Sequence, residues 1–349
     1  MKDQVKISDD IQEIFLLVLK QNIPPQRSAV DVISDLLQIS QDAAYRRLRG
    51  DKRFDIDEIF TICKAYNISL DTIFSVKSQG TIFNYTNLDV RDKAKYLLYM
   101  QRVSQSIELL KEGRNNEIIL SAIDIPVFHF LPYTELTLFK LFAWNNTVYN
   151  QGGYFEDFLE EFLSPDLTAC YRTMADNYAQ VPSTELWTVN TIDTVIRLID
   201  FYFETGYFRD RETPTFLCNQ VIQLIDNLKV WVERGYKKTP SVTYSFYVSD
   251  TDLENNFVLL KKDSQLTCLL KLFTINSLTT KDESFCKETY NWLETSKKRS
   301  VLLTGASERD RFRYFNALQQ KIRFMTEKFA KADAFNPSTI LFGKVQGAH

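Results

Sequence analysis

Between residues 46 and 53 the chain carries five cations, Arg46, Arg47, Arg49, Lys52 and Arg53, against one anion, Asp51. Arginine can grip guanine O6 and N7 as a two-pronged donor, and glutamine can do the same for adenine, each pair discriminating by roughly 1–3 kcal/mol. Cations that meet only phosphate set affinity and its salt dependence instead. The polar residues just upstream, Ser40, Gln41, Asp42 and Tyr45, can also hydrogen-bond. The chemistry on offer is that of a short helix entering a DNA groove.

The elements needed to present such a helix surround it. Asp9–Gln21 places Ile11, Ile14, Phe15, Val18 and Leu19 at three- and four-residue spacing, so one helix face is buried. Pro24 and Pro25 end it, and Ser28 stands where it can cap a second helix with Val32, Ile33, Leu36 and Leu37 inward. Ser40 caps a third, in which Ala44 and Leu48 face the core and Gly50 supplies the left-handed closing residue. Asp55 or Asp57 opens a fourth with Ile59, Ile62 and Cys63 inward, Asn67 ends it, and Ser69–Phe74 forms a last short turn. Two amphipathic segments joined by a tight turn, the second bearing the cations, make a helix-turn-helix.

Over residues 10–76 the chain resembles the Cro/XRE (phage-repressor) helix-turn-helix regulators. The resemblance rests on SQDAAYRRLRG at 40–50, the helix after it, and NISLDTIF at 67–74. It implies a five-helix, lambda-repressor-like domain with double-stranded DNA as partner. By position it puts Ser40, Gln41, Asp42, Tyr45 and Arg46 at the groove, and Arg49, Lys52 and Arg53 beside phosphates. The chain departs from the family pattern at Ala29-Val30, where Thr-Gln is usual, at Gln38 in place of the turn glycine, and at Leu48 in place of an acidic residue.

The net charge of −3 argues against indiscriminate coating of nucleic acid, and residues 1–78 hold 11 Lys/Arg against 12 Asp/Glu. A segregated positive patch still serves sequence-specific binding, because the local field governs. The five cysteines are odd in number and widely spaced, which suits reduced thiols in the cytoplasm rather than a disulfide framework or zinc site. The apolar run Ile14–Leu19 is too short for a signal peptide, and no stretch approaches the ~20 apolar residues of a membrane span.

The 349 residues predict more than one domain. Residues 1–77 form the head and 78–88 a linker. Residues 89–236 read as a helical middle, with a long helix over 89–112 closed by Gly113; 117–130 is ambiguous between strand and buried helix. Ser164-Pro165 and Thr213-Pro214 pair a capping residue with a first-turn proline, while Gly206 and Gly235 mark helix ends. Residues 237–335 read as a small α+β module. VTYSFYVSD, NFVLLKK and LTCLLKLFTI are expected as three antiparallel strands and SVLLT as a fourth; Thr280 with Glu283, and Ser307 with Asp310, should cap helices. The tail 336–349 is expected to be loose. The fold class is mainly α with a small antiparallel sheet.

No cofactor, metal or catalytic constellation is expected, and the chain reads as a non-enzyme. His129 in PVFHFLP is a core residue, Ser307 a helix cap, and Asp157, Glu160 and Glu161 solvating charge on a helix. The aromatics at 154–162 and 202–208 read as core. The expected role is a bacterial-type transcriptional regulator, homodimeric because one small head rarely binds tightly enough alone, with a small-molecule or peptide effector acting on its C-terminal region. Three rivals are a protein-binding adaptor, a peptide-responsive regulator with a helical-repeat sensor, and an enzyme with a regulatory head.

Overall fold

The computed structural model describes residues 11–332 except 24–26, 67, 69, 71–79, 87, 114, 273–275 and 306–307. The chain divides into two units, residues 1–82 and Phe83 onward. The first contains α1 (Ile11–Asn22), α2 (Ala29–Leu37), α3 (Gln41–Arg49) and α4 (Ile56–Tyr66). Phe15, Leu16, Leu19, Val32, Ile33, Ala44, Phe54, Ile62 and Cys63 form its core, with Phe15 edge-on to Phe54 at 5.4 Å. Helical periodicity selects all of these but Leu16 and Phe54, and the expected Ile14, Val18, Leu36, Leu37, Leu48 and Ile59 pack around them partly buried. Ser28 occupies the N-cap of α2, but its hydroxyl accepts no capping bond. Pro24, Pro25, Asn67 and most of the expected turn Ser69–Phe74 lie outside the described residues.

The second unit is built on one mixed eight-stranded sheet. In chain order its elements are β1 (Asn84–Tyr85), α5 (Lys93–Glu108), β2 (Glu117–Ser121), α6 (Val127–Phe130), α7 (Thr134–Tyr149), α8 (Phe155–Phe162), α9 (Pro165–Ala179), β3 (Ser183–Trp187), α10 (Asp193–Glu204), α11 (Thr213–Arg234), β4 (Tyr244–Val248), β5 (Phe257–Lys262), β6 (Gln265–Leu272), β7 (Asn276–Thr280), α12 (Glu283–Lys298), β8 (Val301–Leu302) and α13 (Glu308–Ala332). Strand order is β1-β7-β6-β5-β2-β3-β4-β8. β2, β3 and β4 run parallel to one another, and the remaining pairs are antiparallel. Alternate residues of β2 point to opposite faces. Ile118 and Leu120 enter a large core shared with α5–α11 and α13, whereas Ile119 joins Leu259, Cys268, Cys286 and Leu293 beneath α12.

Several expectations change. The sheet is neither small nor purely antiparallel: β2 resolves the ambiguous stretch 117–130 as strand at its start, β3 comes from the stretch expected to be helical, and β4 pairs with β3 rather than with β5. β1 falls in the stretch expected as a linker. A helical-repeat sensor is incompatible with this sheet. Thr213 is not a cap; its hydroxyl donates to Glu156 at 2.6 Å. Asp282, not Thr280, caps α12, accepting from Phe285 N at 2.8 Å. Ser307 and the tail from 333 lie outside the described residues. Ser164 does cap α9, and Gly235 closes α11 with φ +73°.

β3 is central, buried along its whole length, and polar, which conceals it from pattern reading. Its Glu185 is fully buried and accepts hydrogen bonds from His129 Nε2 at 2.9 Å, Trp187 Nε1 at 2.7 Å and the Tyr178 hydroxyl. Burial opposes ionisation, but the charge and hydrogen bond of His129 and the Tyr178 hydroxyl prevail and hold Glu185 below its usual value. Lys237 lies 3.5 Å from the Tyr178 ring centre and donates to the Tyr178 carbonyl and Ser183 Oγ, each at 2.6 Å. A buried carboxylate is tolerable only when its lone pairs are satisfied in this way.

Candidate nucleic-acid interface

α3 opens where Ser40 Oγ accepts from Ala43 N at 3.2 Å, and closes at Gly50, whose φ of +89° suits glycine. The preceding turn needs a left-handed residue too. Gln38 supplies it with φ +53°, and Ser34 braces the turn by donating its hydroxyl to the Ile39 carbonyl at 2.7 Å. Left-handed backbone costs a non-glycine residue roughly 1–2 kcal/mol, so the turn is closed at a penalty.

The nine residues of α3 sort into two faces. Gln41, Asp42, Tyr45, Arg46 and Arg49 are exposed, while Ala44 and Arg47 are buried. Exposed positions at steps of one and four residues make a continuous polar stripe along one side of the helix. Tyr45 is 53% exposed although it is aromatic. Lys52 and Arg53, in the following loop, are exposed as well. Gln41 Nε2 gives one of its protons to Asp31 Oδ1 at 2.9 Å; a bidentate adenine contact needs only one N–H and the carbonyl, so this pair is compatible with it. Arg49 lies 3.6 Å from Asp51, both well exposed, an ion pair too loose to fix the side chain.

Arg47 departs from the expectation that it adds to the outward field. Its guanidinium turns into the head and clamps Glu58 through Nε–Oε2 at 2.9 Å and Nη2–Oε1 at 2.5 Å, with Nη1 donating to the Ala43 carbonyl at 3.1 Å. The hydrogen bonds that Arg47 donates to Glu58 raise it above its ordinary value against the opposing effect of burial. Glu58 also accepts from Asp55 N at 3.2 Å, and Asp55 accepts from Glu58 N at 2.8 Å, the reciprocal box that starts α4. One carboxylate therefore starts α4 and sets the rotation of α3 about its axis. The Asp55-x-x-Glu58 spacing was visible in sequence, but nothing local showed that Arg47 would reach it. With Arg47 neutralised internally, the outward cations are Arg46, Arg49, Lys52 and Arg53.

Among the described residues, no cluster of three His, Cys, Asp or Glu could hold a metal, and no helix is long and apolar enough to cross a membrane. His129, as expected, is buried in the core.

Residues 11–105 match the BetR domain. This is a helix-turn-helix-like domain family, and the match covers just over a quarter of the chain. It takes in α1–α4, β1 and most of α5. No curated protein and no solved structure matches the chain significantly. The BetR match therefore bears on the head and on the start of the second unit, and leaves residues 106–349 without a named relative.

Proposed function

We propose that this chain is a cytoplasmic, sequence-specific regulator that reads double-stranded DNA through α3. The observation that supports this best is the outward stripe Gln41, Asp42, Tyr45, Arg46 and Arg49, continued by Lys52 and Arg53, on a helix locked from behind by Arg47 and Glu58. The contact roles follow the Cro/XRE pattern: Ser40, Gln41, Asp42, Tyr45 and Arg46 at base edges or the groove wall, Arg49, Lys52 and Arg53 at phosphates. One head offers few phosphate contacts, so the regulator acts as a homodimer on two half-sites about one helical turn apart. The second unit supplies dimerisation, effector sensing, or both, and no catalytic step.

The test is selection of bound fragments from random or genomic DNA, followed by salt titration of the best site by fluorescence anisotropy. Arg46→Ala should cost about 1–3 kcal/mol and relax preference at one base pair. Lys52→Ala should weaken all sequences alike and reduce the salt slope by about one. Failure to enrich any sequence would end this reading. Ile56 and Phe60, one turn apart on α4 and 79% and 59% exposed, favour one other: the head as a protein-binding adaptor, which would bind without steep salt dependence.

A further inference from the structure

The parallel strands β2, β3 and β4 end side by side, and their carboxyl ends open into a cleft of about 760 Å³. Ile123 follows β2, Thr188 and Asn190 follow β3, and Asp252 and Leu253 follow β4. The first turns of α10 close it with Asp193, Thr194, Arg197, Leu198 and Phe201. Ligand crevices of open α/β sheets lie beyond the carboxyl ends of the strands, typically where strand order reverses; here β2, β3 and β4, which follow in order, supply the carboxyl ends. The volume falls within the roughly 300–1,000 Å³ of small-molecule pockets.

The strand ends that carry this cleft are tied together. Thr191 Oγ1 donates to the Ala122 carbonyl at 2.7 Å and accepts from Thr188 N at 2.9 Å, tying the end of β2 to the end of β3. Ser249 N reaches the Trp187 carbonyl at 2.8 Å, joining β4 to them. Asn256 Oδ1 holds Ile123 N at 2.7 Å and Asp124 N at 3.2 Å. A cleft built on such bonds is pre-formed, so a ligand need not order it.

Its lining carries both charges over an apolar bed. Asp193 is neutralised by Lys321 at 2.8 Å, which leaves Arg197 only a loose contact with it at 3.8 Å; the Arg197 side chain is 82% exposed. Asp252 is exposed and, among the described residues, has no ion pair. Ile123 and Phe201 present apolar surface to solvent at 39% and 56% exposure, beside Leu198 and the buried Leu253. We propose that this cleft binds a small zwitterion with an apolar body, a free carboxylate on Arg197, a free ammonium on Asp252, and the body on Ile123, Leu198, Phe201 and Leu253. Free amino acids and short peptides share this chemistry. Occupancy would give the regulator an input, but binding itself does not depend on the DNA reading.

The test is isothermal titration calorimetry of the full chain with leucine, dileucine and trileucine, each also in N-acetylated, C-amidated form. At least one free-termini compound should bind saturably at one site per chain, and its blocked form at least tenfold more weakly. Leucine alone sufficing identifies an amino-acid site; binding only by the longer compounds identifies a peptide site. Arg197→Ala and Asp252→Asn should each weaken binding at least tenfold with unchanged melting temperature, since both side chains are exposed. Absence of saturable binding by all three, equal binding of blocked forms, or full affinity in both variants would overturn the proposal. Loss of DNA binding with calorimetry intact would count against the head alone.

Discussion

Removing the Glu58 carboxylate tests the orientation of α3 directly. Side-chain exposures of 6% for Arg47 and 15% for Glu58 mean that Glu58→Ala strands a mostly buried guanidinium. Breaking a fully buried pair from one side costs about 3–5 kcal/mol. This pair lies just beneath the surface of a small head, so the low end, about 2–3 kcal/mol, applies, with about 1 kcal/mol more for the lost cap of α4. A loss of about 3 kcal/mol is a roughly hundredfold fall in protection of α3 and α4 amides, readable by hydrogen exchange on the full chain. Arg47→Met also strands a charge, but Glu58 is the more exposed partner and keeps the Asp55 N–H, so its loss should be smaller, about 1–2 kcal/mol. Protection of α3 unchanged within threefold in Glu58→Ala would show that the clamp does not hold α3.

Asp124 gives a pH signature. Burial alone would raise it, but Lys140 and Lys271, both 2.8 Å from Oδ2, hold it down to about 2. A depressed carboxylate contributes stability present above its unfolded value near 4 and lost as pH falls toward 2, roughly 2–3 kcal/mol; Asp124→Asn should flatten acid unfolding in that window, and an unaltered acid limb would contradict the assignment. Gln38→Gly relieves the left-handed turn and should stabilise the head by about 0.5–1 kcal/mol, less than the strain itself because glycine also loosens the unfolded chain; a lower melting temperature would mean the turn is unstrained. Glu185→Gln replaces a carboxylate that accepts from His129, Tyr178 and Trp187 with an amide that has one accepting oxygen, and should cost about 2–4 kcal/mol, seen as an earlier urea transition by tryptophan fluorescence; a neutral outcome would mean that the network does not need the carboxylate.

Local signals carried the head. The caps at Ser40 and Gly50, the inward run Val32, Ile33 and Ala44, and the polar stripe from Gln41 to Arg49 all follow from spacing within one or two helical turns. Periodicity could not reveal which of the adjacent arginines faces in, since Arg46 and Arg47 differ only by a rotation whose anchor, Glu58, is 11 residues away. The second unit was less legible. β3 reads Ser-Thr-Glu-Leu-Trp, and its polar residues become core only because His129, Tyr178 and Lys237 arrive from other elements. β2 is flanked by β5 antiparallel and β3 parallel, a pairing between segments that are distant in the chain. The cleft beyond β2, β3 and β4 is likewise assembled from three chain segments, none distinctive alone. Short-range spacing thus selected which residues lie exposed along α3, because capping and periodicity act over a few residues. Long-range contacts decided the helix rotation, the sheet and the cleft, because each depends on a partner that no local window contains.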